Sequence, residues 1–240
     1  MTRICFRFVR KEQLKHISHL DMMRLFQRAL RRSGLPLAFS EGYNPHIRFN
    51  LAAPLPVNVT AEEEFGEVFL TEKTDPKNFL GTLARQLPEG VELAGAFVED
   101  EHAPALPSRV VAALYRASLI ILDESETVDY ELYREALERL LSKEEILAPR
   151  ARKKGKKQTY VNVRPYIIEA YMNNQESEYP LELNLLLQTG SQGGVAPGFV
   201  LEQLEHELGE DRPSQANWKL HRVRLYRDVN GSLEPLSEGM

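Results

Sequence analysis

The feature that most constrains the fold is an order of helical and period-two segments that occurs twice along the chain. In the first half, residues 3–10 alternate as a strand, and residues 19–33 have the apolar spacing of an amphipathic helix. The following segments are extended near 37–40, 47–53 and 64–71, helical at 75–86 and extended again at 91–99. This order is close to β-α-β-β-α-β.

The second half repeats the order after an acidic, proline-rich junction at 99–108. Its predicted segments are strand 109–122, helix 129–142, strands 145–150, 159–171 and 181–188, helix 197–208 and strand 218–228. The two halves share no obvious sequence period, so only the element order indicates a duplication. We therefore predict an α+β protein of two tandem ferredoxin-like halves with antiparallel sheets, divided as 1–104 and 105–240.

The composition favours a soluble cytoplasmic protein. Hydrophobic residues make up 42% and charged residues 27% of the 240 residues, as in globular domains. No apolar run reaches the roughly 18 residues that a membrane span needs, and the alternating N-terminus does not resemble a signal peptide. Cys5 is the single cysteine, which excludes an internal disulfide and suits a reducing compartment.

Positive charge is concentrated in two segments of an acidic chain. Residues 1–50 have a balance of +7 and residues 150–164 also have +7, although the whole chain has a net charge of −5. Such segregation is typical of a surface that binds a polyanion. Membrane association is not expected, and RNA is the predicted polyanion.

The helix at 19–33 contains four arginines on one side. Ser18 and Asp21 form a capping-box pattern at its start, and Gly34 with Pro36 predicts its end. Opposite an apolar stripe lie the predicted phosphate-binding side chains, Arg24, Arg28, Arg31 and Arg32. A solvated face, partly neutralised by Asp21, is the alternative interpretation.

The segment "SEGYNPHIRF" (40–49) and the basic stretch extend this predicted surface. The turn would present Tyr43, His46 and Arg48, a composition typical of single-stranded RNA sites. Further phosphate-binding candidates are Arg152, Lys153, Lys154, Lys156 and Lys157, in a loop predicted at 150–158 between two strands, and Arg164, in the predicted strand 159–171. Tyr160 and Tyr166 could stack on bases, whereas a merely solvated basic loop is the alternative.

The segment "SHLDMMRLFQRALRRSGLPLAFSEGYNP" resembles the signature of the bacterial radical-SAM-linked family, a domain of unknown function. The match is dense over residues 15–64, and "VNVRPYI" (161–167) resembles a second family block. Positions that match the family pattern are Ser18, His19, Asp21, Arg24, Arg28, Arg31, Arg32, Gly42, Asn44, Pro45 and Arg164.

The chain departs from the family pattern at three positions. Ile47 replaces a proline, Asn58 replaces the glycine of a Leu-Pro-x-Gly-x-x-Ser block, and Ala61 replaces the serine of that block. Asparagine tolerates the left-handed conformation that glycine would supply, so we expect the turn to survive. The missing hydroxyl at Ala61 argues against a chemical role for that position.

The resemblance implies an accessory protein beside a radical SAM enzyme that carries a cobalamin-binding domain. Such a partner would supply the iron–sulfur cluster, S-adenosylmethionine and cobalamin, and we expect no cofactor or metal on this chain. The chain has no CxxxCxxC motif, and its histidines and single cysteine have no zinc spacing.

The leading hypothesis from the sequence is therefore a noncatalytic RNA-binding partner that presents an RNA or another anionic substrate. One alternative is a metal-independent RNA-processing or RNA-modifying enzyme with His16, His19 or His46 as general acid or base. The other is a pure interaction domain whose arginines dock on an acidic surface of the radical SAM partner.

Overall fold

The computed structural model describes residues 1–123, 126–150, 158–173, 177–213 and 215–239. Residue contacts divide the chain into two compact units. Unit 1 comprises Met1–Val111 and His221–Met240, and unit 2 comprises Ala112–Leu220. The predicted domains, 1–104 and 105–240, stay a prediction.

The first part of unit 1 alternates strands and helices in the predicted order. Its elements are β1 (Thr2–Arg10), α1 (His19–Ser33), β2 (Phe49–Leu51), β3 (Val59–Leu70), α2 (Pro76–Ala84), β4 (Val91–Glu99) and α3 (Leu106–Arg109). Strand β1 pairs antiparallel with both β3 and β4, and β2 pairs antiparallel with β3. The strand order is therefore β4-β1-β3, with β2 against one end of β3.

Unit 2 contains the remaining long strands and helices. They are β5 (Val110–Ile121), α4 (Tyr130–Ser142), β6 (Leu147–Pro149), β7 (Tyr160–Asn162), β8 (Ile167–Met172), β9 (Glu182–Gln188), α5 (Pro197–Leu208) and β10 (Ala216–Val229). The order here is β10-β5-β9-β8, and β6 pairs with β7 in a separate two-stranded sheet. From residue 221 onward β10 belongs to unit 1, where β11 (Ser232–Pro235) pairs with it.

Helix α1 forms because its ends are capped and one face is apolar. Ser18 Oγ accepts a hydrogen bond from the Asp21 N–H at 3.2 Å and donates to Asp21 Oδ2 at 2.7 Å. Gly34 ends the helix with a left-handed φ of 72°. The buried side of α1 packs in a core rich in phenylalanines, whose members include Phe6, Phe8, Phe26, Phe49 and Phe79.

The turn before β3 contains Asn58 where the family pattern has a glycine. It keeps the left-handed backbone conformation that a glycine would allow. Asn58 has a φ of 65°, so the prediction of a left-handed residue here is confirmed. Its N–H donates to the Lys15 carbonyl at 2.6 Å, which ties the turn to the segment before α1. Ala61, in place of the family serine, is fully buried in β3.

The α+β class is confirmed, and the sheet is mostly antiparallel, as in the pairs of β1 with β3, of β5 with β9 and of β8 with β9. The predicted strand 159–171 is interrupted by a 3-10 turn at Arg164–Tyr166, because Pro165 has no N–H to give to a strand ladder. The basic stretch predicted as a loop lies largely outside the described residues, since 151–157 are not among them. Within the described ranges, no helix is long and apolar enough to cross a membrane.

Candidate nucleic-acid interface

The four arginines of α1 are exposed, but they differ in what they contact. Arg24 Nη1 donates to Asp21 Oδ1 at 3.0 Å, and Arg32 Nη2 donates to the Gln86 carbonyl at 2.7 Å. Arg28 and Arg31 have neither a hydrogen bond nor an ion pair within the described ranges. These two guanidinium groups keep all their donors for a ligand. We call Arg24, Arg28, Arg31 and Arg32 the arginine face.

Asp21 offsets part of this positive charge at the start of the helix. Hydrogen bonds from Ser18 and Arg24 lower the pKa of its carboxyl group, and the charges of Arg24 and Arg28 lower it further. Because Asp21 is satisfied by the cap and by Arg24, it does not hold Arg28 in an internal ion pair. An exposed Arg28 is what a ligand-binding role requires.

The turn after α1 presents its side chains to solvent. The Ser40 N–H donates to the His46 carbonyl at 2.8 Å, and the His46 N–H donates to Ser40 Oγ at 3.0 Å. Tyr43 at the tip is fully exposed. Arg48 lies with its guanidinium carbon 4.0 Å from the centre of the Phe69 ring. Within the described part of the chain, no hydrogen bond or ion pair joins this turn to the arginine face.

Arg164 of unit 2 uses its guanidinium group inside the protein. Nε and Nη2 donate to the Leu141 carbonyl at 3.0 and 2.8 Å, and Nη1 donates to the Ile167 carbonyl at 3.1 Å. The side chain thus satisfies a carbonyl in the last turn of α4, a role that Arg residues often have at helix ends. Arg152, Lys153, Lys154, Lys156 and Lys157 lie outside the described residues.

The three candidate histidines have different surroundings. His16 is exposed, and its Nδ1–H donates to Asn58 Oδ1 at 2.8 Å. His46 is exposed in the turn described above. His19 is half-buried at the first position of α1, where it lines a cavity of about 10 Å³ together with Arg10 and Glu64. Within the described ranges, His19 is the only one of the three that lines a cavity together with buried charged side chains.

A buried cluster of charged residues lies beneath His19, and no motif in the sequence indicates it. Arg10, Glu64 and Arg222 are 1%, 3% and 0% exposed. Arg222 holds both oxygens of Glu64, with Nε 2.6 Å from Oε1 and Nη2 bonded to Oε2, and its Nη1 donates to the Pro54 carbonyl at 2.8 Å. Such a paired geometry is what lets a carboxylate and a guanidinium remain charged in the interior.

The cluster changes the acid–base behaviour of His19. Burial is the largest cause of a lowered His19 pKa, the Arg222 charge lowers it further, and the Glu64 charge opposes them. His19 is consequently biased toward the neutral imidazole, which can accept a proton or a hydrogen bond.

The register of β1 contains the one signal that could have revealed this cluster. Arg10 follows Ile4, Phe6 and Phe8 at two-residue steps, which places it on the side of the strand that faces the core. The pair formed by Arg222 and Glu64 could not be read from the sequence, because these residues are 158 residues apart.

A second buried ion pair fixes the junction segment in unit 1. Glu67 Oε2 accepts from Arg3 Nε at 3.0 Å and Nη2 at 2.5 Å, and from the Leu106 N–H at 3.2 Å. Arg3 also donates to the carbonyls of residues 100, 103 and 104. The proline-rich junction is thus anchored, and we assign this pair a structural role.

Clusters of candidate metal ligands were sought in the described parts of both units. No group of three or more His, Cys, Asp or Glu side chains there could hold a metal ion. Cys5 is buried, and burial raises its pKa to about 12, so that it is a poor nucleophile.

The geometry therefore defines an α+β protein with an exposed cationic helix above a buried arginine–glutamate cluster. The model of a family described as an uncharacterized protein conserved in bacteria (DUF2344) matches residues 3–197, and the chain belongs to this family. The resemblance to a bacterial domain of unknown function is confirmed at that level, while the link to radical SAM enzymes stays a prediction. No curated protein matches the chain.

Proposed function

We propose that this protein is a cytoplasmic RNA-binding accessory partner of a cobalamin-type radical SAM enzyme. In this proposal the arginine face holds the phosphates of an RNA strand, and the protein presents that RNA to the enzyme. The iron–sulfur cluster, S-adenosylmethionine and cobalamin belong to the partner. The chain itself contributes binding and orientation.

The proposal rests on Arg28 and Arg31, whose guanidinium groups are available to bind a ligand. Arginines 3, 10, 164 and 222 donate to groups of the protein, whereas Arg28 and Arg31 have no partner within the described ranges. They stand three positions apart on one helix, so both side chains reach the same side. A planar guanidinium can hold a phosphate by two parallel hydrogen bonds.

The arrangement of strands supports the finer part of the proposal, that the chain is two tandem ferredoxin-like halves. The order β1-α1-β2-β3-α2-β4 has the strand neighbours β4-β1-β3-β2, and β5-α4-β8-β9-α5-β10 has the corresponding neighbours β10-β5-β9-β8. The β6–β7 pair, which flanks the basic stretch, is then an insertion between α4 and β8. Folds of this type often bind RNA, although the fold alone does not establish it.

RNA titration of Arg28→Ala tests the proposal. The expected result is weaker binding of a short unstructured RNA, with the slope of log K against log salt reduced by about 0.7 for each lost phosphate contact. Arg28→Lys should restore only part of the affinity, because lysine keeps the charge and loses the planar pair of donors. Thermal unfolding should remain unchanged, since Arg28 is exposed.

Arg134→Ala is the matched control. Arg134 is also a partly exposed helical arginine, but it is paired with Glu131 and Glu138. Its removal should leave RNA affinity unchanged. If Arg28→Ala and Arg134→Ala weakened RNA binding equally, RNA binding would depend on the net charge of the protein and not on the arginine face. No RNA binding by the wild type, together with co-elution of the protein with a purified radical SAM partner that is lost in Arg28→Ala, would favour the pure interaction domain.

A second candidate is RNA processing by the protein itself, and one observation favours it. His19, biased toward the neutral form, and Glu64 line the same cavity, which brings an imidazole and a second titratable group together. Incubation of purified protein with RNA tests this candidate. Our leading proposal predicts no cleavage or modification, whereas turnover that disappears in His19→Ala would establish the enzyme instead.

A further inference from the structure

The sheet of unit 2 has polar side chains aligned across three neighbouring strands. In β9 the fully buried Leu183 and Leu185 lie on one side, so Asn184 between them lies on the other side. Arg116 of β5 and Tyr171 of β8 are the antiparallel partners of Asn184 in register. Directly opposed residues of paired strands have neighbouring side chains on the same face. We call Arg116, Asn184 and Tyr171 the polar row.

The fold does not use the hydrogen-bonding groups of the polar row. The Arg116 Nε is buried and has no hydrogen-bond partner among the described residues, and its guanidinium group forms no ion pair there. The side chains of Asn184 and Tyr171 also form no hydrogen bond within those ranges. A buried guanidinium N–H without an acceptor is costly, so a ligand that supplies acceptors beside Arg116 is favoured.

Two carboxylates flank the polar row and determine which ligand fits. Glu182 precedes Asn184 by two positions on β9 and is 8% exposed. Burial opposes the ionised form of Glu182, but hydrogen bonds from three polar side chains and the charge of Arg116 lower its pKa. On the other side of the row, the exposed Glu169 is the partner of Leu186. A phosphate would lie close to these negative charges, whereas a neutral ring with acceptors and N–H donors fits between them.

We propose that the polar row binds a guanine base of single-stranded RNA. Guanine has two neighbouring acceptors, O6 and N7, which match the parallel donors of the Arg116 guanidinium. In adenine an amino donor takes the place of O6. The Tyr171 ring is 44% exposed and offers a surface on which the base stacks, as aromatic residues do on the sheets of RNA-binding domains. This inference rests on the proposed function, which names RNA as the source of the base.

Two RNA strands test the polar row in the full-length protein. One is a short oligouridine, and the other is the same strand with one central guanosine. The wild type should bind the guanosine strand about tenfold more tightly, because a bidentate arginine contact discriminates between bases to that degree. In Arg116→Ala this preference should disappear, and Arg116→Lys should not restore it, since lysine has no planar pair of donors. The salt slope for oligouridine should not change, because no phosphate contact is lost.

Two further positions provide the controls. Arg28→Ala should weaken the binding of both strands and keep the preference for guanosine, since the arginine face is assigned to phosphates. Tyr171→Phe should keep the preference, whereas Tyr171→Ala should weaken the binding of the guanosine strand, because the stacking surface is lost. Tyr171 is exposed, so its substitutions test the site even if Arg116→Ala does not fold.

Failure of this inference differs from failure of the RNA proposal. Equal affinity of the wild type for both strands, together with weaker binding by Arg28→Ala, would overturn the guanine site alone. A preference that persists in folded Arg116→Ala would also overturn it.

If neither strand binds, the RNA proposal fails, and guanosine monophosphate and uridine monophosphate become the probes. A change in the NMR signals of the Asn184 side-chain amide with the guanosine nucleotide alone, absent in Arg116→Ala, would support the guanine site. Equal changes with both nucleotides would indicate a phosphate contact and overturn the site, and so would the absence of any change.

Discussion

Replacing Glu67 by glutamine removes one buried charge with almost no change of shape. Glu67 is fully buried, and its carboxylate accepts hydrogen bonds from Arg3, from the Leu106 N–H and from Asn50 Nδ2 at 2.7 Å. Every one of these partners is a donor. The amide of glutamine must therefore place an NH₂ group against a donor in either orientation.

The cheaper orientation points the new NH₂ group at Asn50, whose own amide can turn to present its oxygen. Arg3, 1% exposed, then keeps a carbonyl acceptor but loses the negative charge that balances its guanidinium. Breaking a buried ion pair in this way costs about 3–5 kcal/mol. The same change at the exposed pair of Glu131 and Arg134 should cost much less, because solvent screens that pair.

Native-state hydrogen exchange of amides in β1 and β3 measures this loss in unit 1, with Glu131→Gln as the control. The double variant Arg3→Met with Glu67→Leu should recover most of the stability, because it removes both charges together. A Glu67→Gln protein as stable as Glu131→Gln would refute the reasoning. That result would mean that Arg3 is balanced by its backbone carbonyl partners alone.

Three further predictions follow from single side chains. Ser18→Ala should lower the free energy of unfolding by about 1 kcal/mol in urea titration, because the Asp21 N–H loses its cap, and Ser18→Asp should retain most of the stability. His19 has a lowered pKa in the folded state, so the stability linked to it is complete above the unfolded value of about 6.5 and is lost as the pH falls below it. In His19→Gln, the free energy of unfolding should decrease less as the pH falls, and unfolding curves measured at several pH values test this. An unchanged pH dependence would contradict the argument from the burial of His19. Cys5, with its pKa raised to about 12, should resist alkylation at pH 8 in the native protein and react after denaturation, and rapid native labelling would contradict its buried position.

The sequence predicts much of the fold because local signals agree with it. Helix α1 is predicted at its observed bounds, since Ser18 and Gly34 mark its ends and a clear apolar stripe lies between them. The long strands β1, β4, β5 and β9 follow from alternation and apolar runs. The short helix α3 was missed inside a segment interpreted as a linker, because its position depends on the bond from the Leu106 N–H to Glu67.

The candidate site is less predictable because arginine has several uses. By sequence alone, Arg28 and Arg164 are equivalent matches to a family pattern, yet one is exposed and the other donates to carbonyls of its own unit. In the sequence, Arg10 stands out only as part of a basic segment. Its burial depends on carbonyls of the 14–17 turn and on neighbours distant in the chain, which no local pattern encodes.

The pairing of Glu64 with Arg222 also sets the order of events during synthesis on the ribosome. At a translation rate of about 5–20 residues per second, the 158 residues between them take roughly 8–30 s to make. Throughout that interval β3 has an unneutralised carboxylate and an edge that β10 has not yet covered. The nascent chain therefore offers chaperones a long-lived, incomplete sheet, and unit 1 reaches its native state only after most of unit 2 has been translated.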